Sequence, residues 1–111
     1  MRGLSIAMTS KNDCVGQAPR KVVARVINQK GYCAIGHKVG DVIEFDHFGV
    51  KGDICINALF TMLPVVYAMM HNSYFPWAED QCKELHACPD PNNPVVFELD
   101  RSELMELKAS G

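Results

Sequence analysis

The stretch "ICINALFTMLPVVYAMM", Ile54 to Met70, carries no charged side chain, and its reading decides the fold. It falls short of the roughly 20 apolar residues that cross a bilayer and contains Asn57, Thr61 and Pro64, so it reads as a buried or subunit-facing helix. Asp53 stands before it as an N-cap whose carboxylate would accept from the free amides of the first turn. Pro64 lacks the N–H for one internal hydrogen bond, which predicts a kink there or two short helices. A helix apolar all round needs cover on every side, and one sheet covers only one. Met62, Met69 and Met70, with Tyr67, would form an adaptable docking surface if one side of the helix stays exposed, but most of them read as core, and a homodimer mate or a larger partner protein is expected to supply the remaining cover.

Upstream of this helix, "KVVARVINQ", Lys21 to Gln29, alternates with Val22, Ala24 and Val26 on one face, a strand. "KVGDVIEF", Lys38 to Phe45, predicts a second strand in which Val39, Ile43 and Phe45 share a face, with Gly40 allowing a bulge or close turn. "DHFGVKGD" reads as a polar connection. Downstream, "HNSYFPW", His71 to Trp77, ends the helical region and gathers three aromatic residues of the kind that cap a core. "QCKELHAC", Gln81 to Cys88, fits a helical turn or a short strand, and "PDPNNP" is a turn. "VVFELDR", Val95 to Arg101, is a strand with Val95, Phe97 and Leu99 facing inward. "SELMELKASG" predicts a short helix capped by Ser102. Residues 1–20 read as a weakly ordered lead-in and 21–111 as a single domain. The predicted class is α+β: a small antiparallel sheet of about four strands with the central helix packed on one face.

At 111 residues the chain is long enough to hold a core without covalent staples. With 48% hydrophobic and 22% charged residues it has a globular composition. A net charge of -2 and the lack of any Lys/Arg run exclude the footprint of a nucleic-acid binder. The first residues, "MRGLSIAMTSKND", have too short an apolar stretch for a secretory segment, which predicts a cytoplasmic protein not embedded in a membrane. In a reducing cytosol the five cysteines are expected to stay as thiols, and their odd number forbids full internal pairing.

Two Cys-x-x-x-His pairs occur, Cys33 with His37 and Cys82 with His86, and Cys55 and Cys88 lie beside predicted turns. Zinc takes four N or S ligands and iron–sulfur clusters mostly thiolates, so these residues are metal candidates. As a strand, Gln81 to Cys88 would put Cys82, His86 and Cys88 on one face. Paired Cys-x-x-Cys knuckles are missing, and the plainer reading is of small buried hydrophobes and turn residues. An alternative makes Cys33 or Cys88 the nucleophile of a small enzyme, activated by His37, His86 or a nearby helix N-terminus. His47 and His71 read as solvated loop residues, and Asp41, Glu44, Asp46, Asp53 and Asp90 as ordinary turn and surface carboxylates. Phosphate-binding glycine loops, a serine nucleophile elbow and the HExxH zinc motif do not occur.

Taken in order, "YCAIGHKVGD", "GDIC", "FPW" and "ACPDPNNPVVFE" resemble an uncharacterised family of small bacterial and archaeal domains, found largely in anaerobes and sometimes as tandem repeats. The likeness runs from about Lys21 to Arg101. It implies that Cys33, Gly36, His37, Gly40, Asp41, Cys55, Pro76, Trp77, Cys88, Pro89, Asp90 and Pro94 belong to the family pattern, with Cys14 outside it and Cys82 incidental. The resemblance favours Cys33, His37, Cys55 and Cys88 as the metal set, for zinc or an iron–sulfur cluster, over the Cys82 and His86 pair. The functional expectation is a cytoplasmic accessory or binding domain, acting as an oligomer or with a partner protein.

Overall fold

The computed structural model describes residues 14–16, 19–31, 33 and 36–104. Their elements in chain order are β1 (Val22–Gln29), β2 (Val42–Asp46), β3 (Gly49–Lys51), α1 (Ile56–Met70), β4 (Lys83–Ala87) and β5 (Val95–Asp100). The strands form one five-stranded sheet in the order β3-β2-β1-β5-β4, every pair antiparallel. The class is α+β, with one strand more than the expected four.

Register follows from which side chains must leave water. Residues directly opposite each other across an antiparallel pair share a face. Ala24 lies between Ile43 of β2 and Leu99 of β5, Val22 opposite Phe45, and Val26 opposite Phe97. All of these are buried. A slip of one residue in any of these pairs would send the whole row to the other face. In β4, His86 stands opposite Phe97 and Glu84 opposite Leu99, so the strand period of Gln81 to Cys88 is realised as β4. Ala58, Met62, Val66 and Met69 of α1 join the inward residues of β1, β2 and β5 in a single buried cluster. Thr61 Oγ1 lies 3.0 Å from His86 Nε2, a polar link between α1 and β4.

The second strand begins later than expected. Val39 and Gly40 form a turn, and Val39 is exposed instead of sharing the face of Ile43 and Phe45. The segment read as a connection is a hairpin, because Asp46 pairs with Gly49 around His47 and Phe48. Asp46 Oδ1 accepts the Phe48 N–H at 2.8 Å, closing the loop. Gly52, where the chain leaves β3, has φ +117°, and a Cβ there would lie 3.0 Å from the Val42 carbonyl oxygen. A side chain at this point meets both backbone strain and a fixed atom.

α1 runs unbroken through Pro64, so the alternative of two short helices is corrected. The hydrogen bond that Pro64 forgoes is to the carbonyl of Phe60, and both residues are exposed, where water replaces the lost donor at low cost. The N-cap is Cys55, without a side-chain bond to the first turn, and not Asp53, which lies two residues earlier. At the other end Asn72 takes φ 74° and Ser73 N–H donates to Ala68 O at 3.2 Å, which stops the helix. Of the three aromatics after it, Phe75 is buried, whereas Tyr74 and Trp77 are exposed.

Beneath this corner lies a buried polar clasp. Gln81 Oε1 accepts the Phe75 N–H at 2.9 Å while its Nε2 donates to the carbonyls of Phe75 and Ala78 at 2.7 and 2.9 Å. Arg101 Nε donates to Gln81 O at 2.7 Å, and its guanidinium is centred 5.3 Å from the Phe75 ring centroid. Burial pushes the Arg101 guanidinium below its ordinary range.

Cys14 is bonded to Cys82 in a disulfide that spans 68 positions of the chain. This corrects the expectation of five reduced thiols. Cys14 is buried, and Arg20 is buried with its N–H donated to Met70 O at 2.9 Å. The rest of the lead-in, residues 1–13, 17 and 18, lies outside the described residues, as does 105–111 of the expected C-terminal helix. Ser102, expected to cap that helix, donates its N–H to Asp100 Oδ1 at 2.7 Å, and Leu104 bridges Arg20. Among the described residues no helix is long and apolar enough to cross a membrane.

Candidate functional site

The turn between β1 and β2 brings Cys33 and His37 together through the backbone. Gly36 N–H donates to Cys33 O at 2.9 Å, a closure that its φ of 84° permits, and His37 N–H points at Cys33 Sγ at 3.4 Å. The His37 side chain is then carried inward, to 5% exposure, and meets Phe97 edge-on with ring centroids 5.6 Å apart. Its Nε2 lies 3.2 Å from the backbone nitrogen of Cys55, at the cap of α1. An amide can only donate, so Nε2 is the acceptor and the ring proton belongs on Nδ1. Nδ1 faces Asp41 Oδ2 at 3.5 Å. That carboxylate is held below its ordinary range by the Lys38 N–H first, and by the His37 ring as a smaller cause.

Cys88 comes from the far side of the sheet, at the end of β4. Its N–H donates to Val95 O at 2.9 Å, and the Val95 N–H points back at Cys88 Sγ at 3.2 Å. The intervening "PDPNNP" is shaped by Asp90, whose Oδ1 accepts the N–H groups of Asn92 and Asn93 at 3.0 and 3.1 Å. Those two contacts lower the Asp90 carboxyl below its ordinary range. The loop also holds Asn93 O at 4.0 Å from Cys88 Sγ.

These three segments meet at one cavity of about 130 Å³. Cys33, His37, Cys55 and Cys88, the four residues singled out by sequence, all line it, with Ala58, Val95 and Phe97 as apolar wall and Asn57, Asp90 and Asn93 as polar wall. All three free cysteines of the described residues are therefore here, each half-buried. His37 also lines a wider polar recess of about 460 Å³ with Lys38, Asp41, Gly52 and Asp53.

Two features bear on what the cavity can hold. His37 Nε2 is taken up by the Cys55 N–H, and its Nδ1 faces Asp41 Oδ2. Among the described residues, no group of three or more His, Cys, Asp or Glu side chains is arranged to hold a metal ion. The set as it stands is open, and its volume is several-fold what a single water needs. For the nucleophile arrangement, His86 Nε2 lies 3.0 Å from Thr61 Oγ1, and His37 Nε2 lies 3.2 Å from the backbone nitrogen of Cys55.

Sequence reading missed how Asp41 and Asp90 serve this site. Their spacing carried the signal: Lys38-x-x-Asp41 and Asp90-x-Asn92-Asn93 are turns closed by a carboxylate on nearby amides. Cys82, by contrast, is tied to Cys14 and lines no part of the cavity. No family model, curated protein or solved structure matches the chain. The site therefore rests on the chain's own residues.

Proposed function

We propose that the protein is a binding domain whose thiol-lined cavity holds an iron–sulfur cluster on Cys33, Cys55 and Cys88, with His37 as the positioning residue. One observation carries this reading: the three free cysteines, from segments far apart in the chain, line one small cavity, while the two remaining cysteines are joined to each other elsewhere. Soft thiolates select zinc, copper(I) and iron–sulfur centres. A lone zinc ion needs its ligands closed tightly around one point, whereas a cluster spreads them apart and fills more volume. Among the described residues the three thiols are not gathered around one point, and lining a cavity of about 130 Å³ they suit the second demand better, with the fourth ligand position of a cluster left without a cysteine. Amide N–H groups aimed at cysteine sulfur, as from His37 and Val95, are contacts that tune such clusters. In the same reading α1 lies across the inner face of the sheet and closes the cavity with Cys55, Asn57 and Ala58.

The test is elemental and spectroscopic. Protein purified without oxygen and without a histidine-rich tag is expected to carry stoichiometric iron and acid-labile sulfide and to absorb in the visible. Cys33→Ser, Cys55→Ser and Cys88→Ser should each lose both signals, while the Cys14→Ser/Cys82→Ser double variant keeps them. Wild-type protein that takes up neither iron nor sulfide on anaerobic reconstitution would end the cluster reading. One zinc per chain, lost in the same three variants, would keep the thiol site and replace its occupant with a single ion.

A further inference from the structure

Helix α1 buries Ala58, Met62, Val66 and Met69, yet its other side is no less apolar. Ile56 is 72% exposed, Phe60 76%, Leu63 43% and Tyr67 68%. At 3.6 residues per turn these four fall within about 60° of arc, centred about 135° round the helix from the buried set. They form a continuous apolar stripe along the helix.

We infer that this stripe is the contact between two copies of the chain, paired antiparallel about a two-fold axis that passes between Phe60 and Leu63. Three observations point to a second copy and not to a different partner. The spacing from Ile56 to Phe60, Leu63 and Tyr67 is four, three and four, which reads the same from either end, so an antiparallel two-fold pairing sets every residue of the stripe against another of its own residues. In that pairing Phe60 of one copy faces Leu63 of the other, and Tyr67 faces Ile56, so each aromatic ring meets a smaller aliphatic side chain. α1 has no charged residue in its first or last turn or anywhere between, so it repels no copy of itself and offers an oppositely charged partner nothing to pair with. The area is sufficient. At the roughly 150–250 Å² that an aromatic side chain buries, and less for Ile and Leu, two stripes remove on the order of 1,000 Å², the floor for a specific interface.

The pairing has a consequence for the cavity. Ile56 follows Cys55 directly, so the mate's Tyr67 turn stands beside the start of α1, next to the thiol site. The inference itself is independent of what that site binds, since it rests on side chains that do not line the cavity.

Sedimentation velocity and light scattering decide it, run without oxygen on protein that non-reducing electrophoresis shows to be free of intermolecular disulfides. Wild-type protein is expected to be a dimer at concentrations on the order of 10 μM and to dissociate on dilution. Phe60→Glu should weaken the dimer roughly 30-fold or more while leaving the circular dichroism and thermal transition in place, because Phe60 is outside the core. Mixing Phe60→Glu with Leu63→Lys should restore a dimer that neither forms alone, because the antiparallel register sets Glu against Lys. A wild-type monomer at every concentration would overturn the inference and give the stripe to another protein or a lipid surface. So would a dimer that Phe60→Glu leaves intact.

Discussion

His37 Nε2 accepts the backbone N–H of Cys55 at 3.2 Å, joining the β1–β2 turn to the cap of α1. The cap has no side-chain bond of its own, so the imidazole takes over part of the work that Asp53 was expected to do. Replacing it by Leu leaves a half-buried amide without a partner, which costs about 1–3 kcal/mol. His37→Leu should therefore lower the urea midpoint. With Cys55 no longer fixed, it should also weaken binding at the thiol cavity by roughly 10- to 100-fold without abolishing it, as loss of an outer-shell partner does. Complete loss of binding would instead make His37 a direct ligand.

The Cys14–Cys82 bond closes a loop of 68 positions, for which loop entropy sets about 4.4 kcal/mol, and disulfides typically contribute about 2–4 kcal/mol. Native oxidised protein should show three titratable thiols, and reduced, unfolded protein all five. The Cys14→Ala/Cys82→Ala variant should lose stability by that amount while retaining the three cavity thiols. Five reactive thiols in unreduced native protein would refute the pairing.

The strands were legible because burial alternates along them: Val22, Ala24, Val26 and Val95, Phe97, Leu99 each show period two, and each row is buried. β3 was not, since its three residues are all exposed and only Val50 has a strand-forming side chain. The four cavity residues were named from motif order, and pattern alone favoured Cys82 with His86. What no local pattern carries is long-range convergence. Cys14 meets Cys82, and Cys33, Cys55 and Cys88 come to line one cavity, through the tertiary fold and not through spacing. Arg101 shows the same limit. As the last residue of the alternating stretch "VVFELDR" it resembles a solvated strand end, yet the chain folds Gln81 and Ser73 around it.

His86 offers a pH signature. Its ordinary value is 6.5, and burial beside Thr61 lowers it by favouring the neutral ring. The unfolded chain thus takes up this proton first as pH falls. Stability due to the neutral ring is complete above the ordinary value and is lost as pH falls through it to the folded value. The urea midpoint should drop between about pH 7.5 and about pH 5 by more in the wild type than in His86→Gln. An NMR titration placing the His86 ring at or above 6.5 would contradict the assignment.

Arg101 makes the most demanding prediction. Its guanidinium is fully buried, donating to Gln81 O at 2.7 Å, Ser73 O at 2.9 Å and Met69 O at 3.2 Å. These are the carbonyls that end α1 and shape the loop to β4. Arg101→Met supplies similar bulk but no donor, and the loss of several charge-assisted bonds to buried carbonyls costs about 3–5 kcal/mol. That is a large share of the roughly 5–15 kcal/mol that holds a domain of this size together. Arg101→Lys should recover only part of it, because an ammonium donates from one point and cannot span three carbonyls set around a planar fork. Urea unfolding of the two variants should therefore rank wild type above Lys and Lys above Met. A loss below about 1 kcal/mol in Arg101→Met would show that water can replace the guanidinium, and the clasp would then be a filler and not the tie that holds the end of α1 to the sheet.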